Sequence, residues 1–153
     1  NLVHPELHDQ SLMPALQSGW FIPHVTVYIF SYSLFGCAFL FAVAGWWKHT
    51  QEYLASADTL VNIGMAFLTF GMVSGCIWAK QAWGNYWSWD PKETWAAATW
   101  CAYAVYIHLR LRHPAQPGNA PYLWLIIGFL LLQMWWYGVN FLPSAASSIH
   151  TYS

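Results

Sequence analysis

The sequence predicts an all-α integral membrane protein, built as one bundle of four transmembrane helices with an external tryptophan-rich loop. Of its 153 residues, 58% are hydrophobic and 7% are charged, whereas a soluble domain carries about 25% charged residues. Four stretches are apolar and long enough for a hydrocarbon core about 30 Å thick, which takes about 20 helical residues to cross. The composition argues against nucleic acid as a partner, because five Lys and Arg are balanced by six Asp and Glu and such partners need clustered positive charge.

The predicted spans alternate with short polar connectors, and residues 1–153 are expected to form a single membrane domain within a larger protein or complex. The spans are Thr26–Trp47, Thr59–Ala79, Pro91–Leu109 and Tyr122–Leu142. Outside them lie an N-terminal segment, a tryptophan-rich loop and a C-terminal tail, which are residues 1–25, 80–90 and 143–153. Between the third and fourth spans, the helix-stopping residues are Pro114, Pro117 and Gly118.

The basic residues near the span ends predict which ends face outward. Lys48, Arg110 and Arg112 lie on one side, whereas Lys80 and Lys92 lie on the other, close to acidic residues. The positive-inside rule places the first set in the cytoplasm. The tryptophan-rich loop and both chain ends are therefore predicted to lie on the periplasmic, external side. The predicted location is the bacterial inner (plasma) membrane, with a thylakoid membrane as the alternative.

The three cysteines do not indicate thiol chemistry within the chain. Cys37, Cys76 and Cys101 each lie in an apolar run, and the sequence contains no CxxC, CxxCH or zinc-binding spacing. We interpret them as buried, small hydrophobic side chains. Any reaction of thiols at this protein would use thiols from a partner.

Tryptophan is concentrated around one loop. Twelve residues are Trp, and five of them gather in and beside residues 80–90: Trp78, Trp83, Trp87, Trp89 and Trp95. An aromatic belt at the membrane interface would spread tryptophan over all the helix ends. The clustering favours the alternative, a platform for a flat hydrophobic ligand, since indoles offer large rigid rings with N–H groups for polar edges. An extended loop would turn Trp87 and Trp89 to one side, whereas a helical turn would pair Trp83 with Trp87.

The acidic residues after these tryptophans predict a helix start. Asp90, Pro91 and Glu93 fit the N-cap, N1 and N3 positions. There the N-cap carboxylate accepts from an unpaired backbone N–H, Pro loses no hydrogen bond, and Glu reaches back to the N-cap. We interpret the two acids as a capping box rather than a catalytic pair, with Lys92 balancing the local charge.

Two further patterns indicate helix packing. Gly71 and Gly75 have the GxxxG spacing, which lets two helices approach closely. Gln133 and Asn140 are seven residues apart on the fourth predicted span and would share one face. We expect both to hydrogen-bond other helices.

Two histidines at opposite ends of the chain are candidate ligands of one metal. His24 immediately precedes the first span, and His150 follows the fourth. An even number of crossings separates each of them from the tryptophan-rich loop, so all three should share one membrane face. An iron porphyrin is flat, has apolar faces and takes two axial imidazoles. The combination of two histidines and a tryptophan platform therefore indicates porphyrin binding.

His108 lies near the opposite face of the membrane. It is 17 residues after Pro91, or about 26 Å along a helix. Ionisable groups within a membrane are expensive and commonly functional. The alternative is a histidine at the interface beside Arg110 and Arg112. The chain contains no second intramembrane histidine to pair with it.

The motifs together resemble the C-terminal part of the CcsA (ResC-like) family of cytochrome c synthase components, in the haem-handling superfamily with a WWD signature. The matching strings are WGNYWSWDPKETW at Trp83–Trp95, AVYIHLR at Ala104–Arg110, LQSGWFIPH at Leu16–His24 and NFLPSAASSIHTY at Asn140–Tyr152. These strings occur in the family's order and span most of the chain. The related CcmC and CcmF proteins share a WWD loop, but the run WDPKETW and the tail favour the CcsA type.

The resemblance implies haem b as the cofactor and assigns residues to it. His24 and His150 would be the external ligands of the haem iron, and His108 one member of a pair at a second, intramembrane haem site. The haem-presenting segment would include Trp83, Trp87, Trp89 and Asp90. The implied partners are a CcsB (ResB-like) component, fused or separate, apocytochrome c with a reduced CxxCH motif, and thiol-reducing proteins.

The implied function is cytochrome c biogenesis. The protein would transport haem across the membrane and present it for thioether attachment, so it would be a haem lyase component. It would act by orienting haem, with no catalytic residue beyond those that position it. The alternatives are a haem delivery chaperone or exporter without a bond-forming role, and a b-type electron-transfer subunit that holds haem between intramembrane histidines.

Overall fold

The computed structural model describes residues 14–115 and 118–143. Within these ranges the chain forms four α-helices and no β-strand, which confirms the all-α class. The helices are α1 (Phe21–Lys48), α2 (Leu54–Trp83), α3 (Pro91–Arg112) and α4 (Ala120–Trp136). Two short 3₁₀ helices flank them, Pro14–Gln17 before α1 and Gly138–Phe141 after α4.

The first three helices contain the first three predicted spans and extend beyond them. α1 begins five residues before Thr26, so His24 lies in its first turns rather than in the segment before it. Pro23 is tolerated there because the first N–H groups of a helix have no intrahelical partner. α2 continues to Trp83, so this tryptophan ends a helix rather than lying in the loop. Gly84 then ends α2 with a φ of 84°, which glycine adopts readily.

The fourth helix ends earlier than predicted. α4 stops at Trp136, six residues before Leu142, and the chain continues as a 3₁₀ helix. Gly138 weakens the α-helix because glycine loses more conformational entropy than other residues. Leu142 is extended, with φ −81° and ψ 147°, as favoured for the residue before a proline. The prediction that Gln133 and Asn140 share one face of an α-helix is therefore wrong, and Asn140 is exposed.

The start of α3 confirms the predicted capping box. The Asp90 carboxylate accepts from the Lys92 backbone N–H at 3.0 Å, and Glu93 Oε2 accepts from the Asp90 backbone N–H at 3.2 Å. The Glu93 carboxylate also accepts from the Ser88 N–H at 2.8 Å. These bonds hold the end of the tryptophan-rich loop against the first turn of α3.

Sequential helices pack antiparallel, so the start of one helix lies beside the end of the next. Phe21 at the start of α1 contacts Trp78 near the end of α2, with ring centroids 5.5 Å apart. At the other end, Tyr122 of α4 donates to the Thr50 carbonyl after α1 at 2.7 Å. In the centre, Phe35 of α1 stacks on Tyr103 of α3 at 3.8 Å. All four helices therefore share one core.

Small residues of α2 let α1 approach closely, as the GxxxG pattern predicted. A Cβ atom at Gly71 would lie 2.8 Å from the ring of Tyr28. The same face continues at Gly64, whose carbonyl accepts from Ser31 at 2.9 Å. Gln133 also has the predicted interhelical bond, since its amide donates to the Tyr32 hydroxyl at 2.8 Å.

An ion pair joins α2 and α3 at the end of the bundle opposite the tryptophan-rich loop. Asp58 accepts from Arg110 Nη2 at 2.9 Å and Nε at 3.0 Å. It also accepts from the Tyr106 hydroxyl at 2.6 Å. The Asp58 carboxylate raises the pKa of the Arg110 guanidinium, chiefly by hydrogen bonding. The cluster fastens the start of α2 to the end of α3.

The outer surface of the bundle is apolar, as expected for a membrane protein. Large exposed side chains include Ile29, Phe30, Leu40, Phe67, Phe70 and Val73. Helices that are apolar on all sides are typical of membrane spans. α1 and α2 are long and apolar enough to cross a membrane, and α4 is apolar but has 17 residues. Cys37 and Cys101 are exposed on this surface and Cys76 is partly buried, so the prediction of three buried thiols is wrong.

Candidate functional site: an aromatic cavity at one end of the bundle

A cavity of about 210 Å³ lies where the four helices meet the tryptophan-rich loop. The antiparallel order brings together the start of α1, the end of α2, the start of α3 and the end of α4. The lining residues are Phe21, His24, Val25 and Tyr28 of α1; Met72, Gly75, Cys76, Trp78 and Ala79 of α2; Tyr86 and Trp87 of the loop; Lys92, Glu93 and Ala96 of α3; and Trp135 and Trp136 of α4.

The cavity wall includes His24 in a defined tautomer. Its Nδ1 lies 2.8 Å from the carbonyl oxygen of Gly71. A carbonyl oxygen only accepts, so Nδ1 carries the hydrogen and the lone pair of the neutral ring lies on Nε2. A metal-ligating histidine typically donates its other ring N–H to a carbonyl or carboxylate, which orients the ring and raises its basicity. His24 has this arrangement.

The His24 ring is held between aromatic side chains and a glycine. Its centroid is 5.2 Å from that of Trp78 and 4.4 Å from that of Tyr28. On α2, a Cβ atom at Gly75 would lie 2.5 Å from Cε1 of His24. The imidazole therefore occupies a space that exists because position 75 has no side chain.

The three tryptophans predicted as site residues have different environments. Trp87 lines the cavity. Trp83 contacts Trp78, a cavity residue, with ring centroids 4.9 Å apart. Trp89 is 70% exposed and touches the cavity wall through Trp87, edge to face at 5.6 Å. The backbone of Trp89 has a φ of 56°, which L residues with large side chains rarely adopt.

The cavity includes aromatic residues that were not predicted as site residues. Trp135 and Trp136 of α4 lie on its wall, and Trp135 packs against Tyr28 with ring centroids 4.8 Å apart. The even number of crossings that grouped His24 with the loop also applies to the end of the fourth span. That argument was available from the sequence and would have placed both tryptophans at this end.

Two indole N–H groups of this wall are buried without an acceptor. They are Nε1 of Trp87 and Nε1 of Trp136, for which the described part of the chain offers no hydrogen-bond partner. Other indoles are satisfied, since Trp100 donates to Thr69 at 2.9 Å and Trp124 to the Ala102 carbonyl at 2.8 Å. Buried polar groups in native proteins almost always have a partner.

The remaining predicted site residues lie apart from the cavity or outside the described ranges. Asp90 is buried and forms the α3 cap described above. His108 is exposed on α3, in the helix half distant from Pro91, and it does not line the cavity. His150 lies outside the described residues. Within the described ranges, no group of three or more His, Cys, Asp or Glu side chains is placed to hold a metal ion.

Comparison with known proteins identifies relatives along nearly the whole chain. The family described as "Cytochrome C assembly protein" matches residues 1–146. The chain is 40% identical over 154 residues to a protein named cytochrome c biogenesis protein CcsA from Chlamydomonas reinhardtii, covering 92% of this chain and 42% of the relative. Proteins of the same name from Mesostigma viride and Prochlorococcus marinus (strain MIT 9312) are each 36% identical, over 95% and 94% of this chain and 58% and 57% of their own lengths.

The chain spans about half the length of the curated relatives it matches. The match nevertheless includes the segment that carries His24, the tryptophan-rich loop and α4. It confirms the resemblance predicted from the WGNYWSWDPKETW string and its flanking motifs. On these grounds, the chain belongs to the cytochrome c assembly protein family.

Proposed function

We propose that this chain is the haem-presenting part of a cytochrome c biogenesis protein, and that the aromatic cavity holds one edge of haem b. The proposal is supported by family membership and by the names of the relatives. The observation that carries it is His24, whose Nδ1 donates to the Gly71 carbonyl at the wall of a cavity that Trp87 also lines.

The residues of the cavity fit a porphyrin in two respects, and its volume limits how much of the ring can enter. The His24 tautomer leaves the lone pair on Nε2, a nitrogen suitable for iron. Flat aromatic rings dominate the wall. The volume of about 210 Å³ is below the roughly 300–1,000 Å³ of sites that enclose a drug-sized ligand. These residues would therefore surround one edge of the porphyrin and leave the other edge accessible.

The residues of this chain would act by orienting the haem. His24 and His150 would each offer an imidazole nitrogen to the haem iron, which would set the plane of the ring. Bound haem supplies two vinyl groups, each able to add a thiol S–H across its double bond. Trp87, with Trp89 beyond it, would support the ring so that the two thiols of a reduced CxxCH peptide meet these groups. Holding the thiols close to the vinyl groups would then contribute most of the rate acceleration, as expected of a haem lyase component.

Several finer features belong to the same proposal. All four helices would cross the membrane, with the cavity on the external, periplasmic side of a bacterial inner membrane. A thylakoid membrane is the alternative. His108 would belong to a second haem site completed by a histidine outside this chain. The partners would be a CcsB (ResB-like) component, apocytochrome c and thiol-reducing proteins.

The absorption spectrum of the purified protein, with and without dithionite, tests the ligand assignment. We expect a low-spin bis-imidazole haem spectrum that is lost from the external site when His24→Ala and His150→Ala are combined. His113→Ala is the matched control, because His113 is exposed beyond the end of α3. An unchanged external-site spectrum in the double variant would refute the assignment.

Haem delivery without bond formation is the second candidate function. It requires only that haem is held at the cavity wall that includes His24, without thiols being placed against the vinyl groups. Incubation of the haem-loaded complex with a reduced CxxCH peptide separates the two. Covalent haem on the peptide supports the lyase role, whereas transfer without a covalent bond supports delivery.

A further inference from the structure

We infer that the indole N–H groups of Trp87 and Trp136 donate to the carboxylates of the ligand, so that the carboxylate edge of a porphyrin enters the cavity. This inference rests on the proposed function. It starts from the two buried Nε1 atoms, which have no acceptor within the described residues. Both belong to residues that line the same cavity, yet one comes from the loop and the other from α4.

Such a pair is unusual for a folded protein. A buried donor without a partner loses its hydrogen bonds to water and gains nothing in return. Satisfied indoles elsewhere in this chain show that the fold supplies acceptors to Trp100 and Trp124. Two unsatisfied donors at one cavity therefore indicate an acceptor that arrives from outside.

A carboxylate matches this acceptor best. Each carboxylate offers two oxygens and about four lone-pair sites, and a charged acceptor makes the stronger bonds. A porphyrin with two carboxylates can therefore supply an acceptor to each indole. Lys92 on the same wall adds a positive charge. The Glu93 carboxylate already accepts hydrogen bonds from the backbone N–H groups of Ser88 and Asp90.

The orientation of the porphyrin follows from this contact. The carboxylate-bearing propionates of haem b and its vinyl groups lie towards different edges of the macrocycle. If the propionate edge is held by Trp87 and Trp136, the vinyl edge faces out of the cavity. Trp136 thereby becomes a positioning residue for a reaction that it does not touch.

Binding of two haem analogues by the full chain tests the inference. Iron mesoporphyrin keeps the propionates and lacks vinyl groups, whereas iron etioporphyrin lacks both, so the comparison isolates the carboxylates. We expect Trp87→Phe and Trp136→Phe each to weaken mesoporphyrin binding about tenfold. Etioporphyrin binding should change less than twofold.

The outcomes separate this inference from the proposed function. Equal losses for both porphyrins would show that the rings only pack, and would overturn the inference alone. Failure of the unmodified protein to bind either porphyrin would overturn the proposed function and the inference with it. Trp47→Phe is the matched control, because Trp47 is 83% exposed on α1.

A second measurement does not depend on a ligand and keeps the inference testable if a Phe variant fails to fold. Replacing one tryptophan with β-(3-benzothienyl)alanine exchanges the N–H for sulfur and preserves the ring. In ligand-free protein, we expect this exchange at position 87 or 136 to leave the thermal midpoint unchanged or higher. At Trp100, whose N–H is bonded to Thr69, it should lower the midpoint. Equal lowering at all three positions would reveal an internal partner and overturn the inference.

Discussion

The Nδ1 atom of His24 donates a hydrogen bond to the carbonyl oxygen of Gly71, 2.8 Å away, across the interface between α1 and α2. The same carbonyl accepts from the Ser74 hydroxyl at 3.0 Å. One turn further along α2, Gly75 leaves the space that the imidazole ring occupies. The close approach of two helices and the orientation of the candidate iron ligand are therefore one structural feature.

Gly75→Ala should displace His24 and reduce haem binding. Its Cβ would lie 2.5 Å from Cε1 and 2.8 Å from Nδ1 of the imidazole, and overpacking of this kind costs about 1–3 kcal/mol. Haem titration and the free energy of unfolding in SDS measure the two effects. Gly36→Ala is the control, because its nearest neighbour, Phe129, is 3.8 Å away. Normal haem binding by the Gly75 variant would show that binding does not require the His24 ring to pack against Gly75.

Trp89→Gly should be more stable than Trp89→Ala by about 1–2 kcal/mol. The φ of 56° at this position is unfavourable for any residue with a Cβ atom, by about that amount. Thermal unfolding of the two variants measures the difference. At Trp47, which is exposed within α1, the order should reverse, since Gly is about 1 kcal/mol worse than Ala in a helix. The same order at both positions would contradict the backbone conformation reported for Trp89.

Asp58→Ala should destabilise the bundle by about 1.5–3 kcal/mol, because it removes the charged acceptor of Arg110 and Tyr106. Tyr106→Phe removes one of these bonds and should cost about 1 kcal/mol. SDS unfolding reports both values. Arg112→Ala, at an exposed position of α3, should stay within about 0.5 kcal/mol of the unmodified protein. A loss no larger for Asp58→Ala than for Arg112→Ala would mean that the ion pair is not stabilising.

Asp90→Ala should destabilise the start of α3 by about 0.5–2 kcal/mol, through loss of the N-cap. Asp90→Asn keeps an acceptor for the Lys92 N–H and should retain most of the stability. Haem titration of the Asn variant separates the structural role from a direct one. Unchanged haem affinity assigns Asp90 to helix capping, whereas a tenfold loss with normal stability would place its charge at the ligand.

Local features of the molecule could be predicted from the sequence because they depend on neighbouring residues. The α3 start follows from Asp90, Pro91 and Glu93, which satisfy one another within one turn. The contact between α1 and α2 follows from Gly71 and Gly75, since residues four apart lie on one helix face. Hydropathy alone could not predict the end of α4, because the apolar run continues past Gly138 into the 3₁₀ helix.

Only some of the residues that line the cavity were predicted from the sequence. The predicted topology placed His24 and the tryptophan-rich loop at one end of the bundle. In the structure, His24 and the loop residue Trp87 both line the cavity. Trp135 and Trp136 were missed because their apolar surroundings resemble ordinary span residues. Trp83 was assigned to the loop, although it completes the last turn of α2.

The sequence by itself determined the helical class, the apolar surface, the capped start of α3 and the family, since each depends on composition or on residues close together in the chain. Only the tertiary structure decided the tautomer of His24 and the unsatisfied donors of Trp87 and Trp136. Those properties depend on which atoms of distant segments meet. A hydrogen bond across 47 residues, or the lack of an acceptor beside an indole, exists only once the helices have packed.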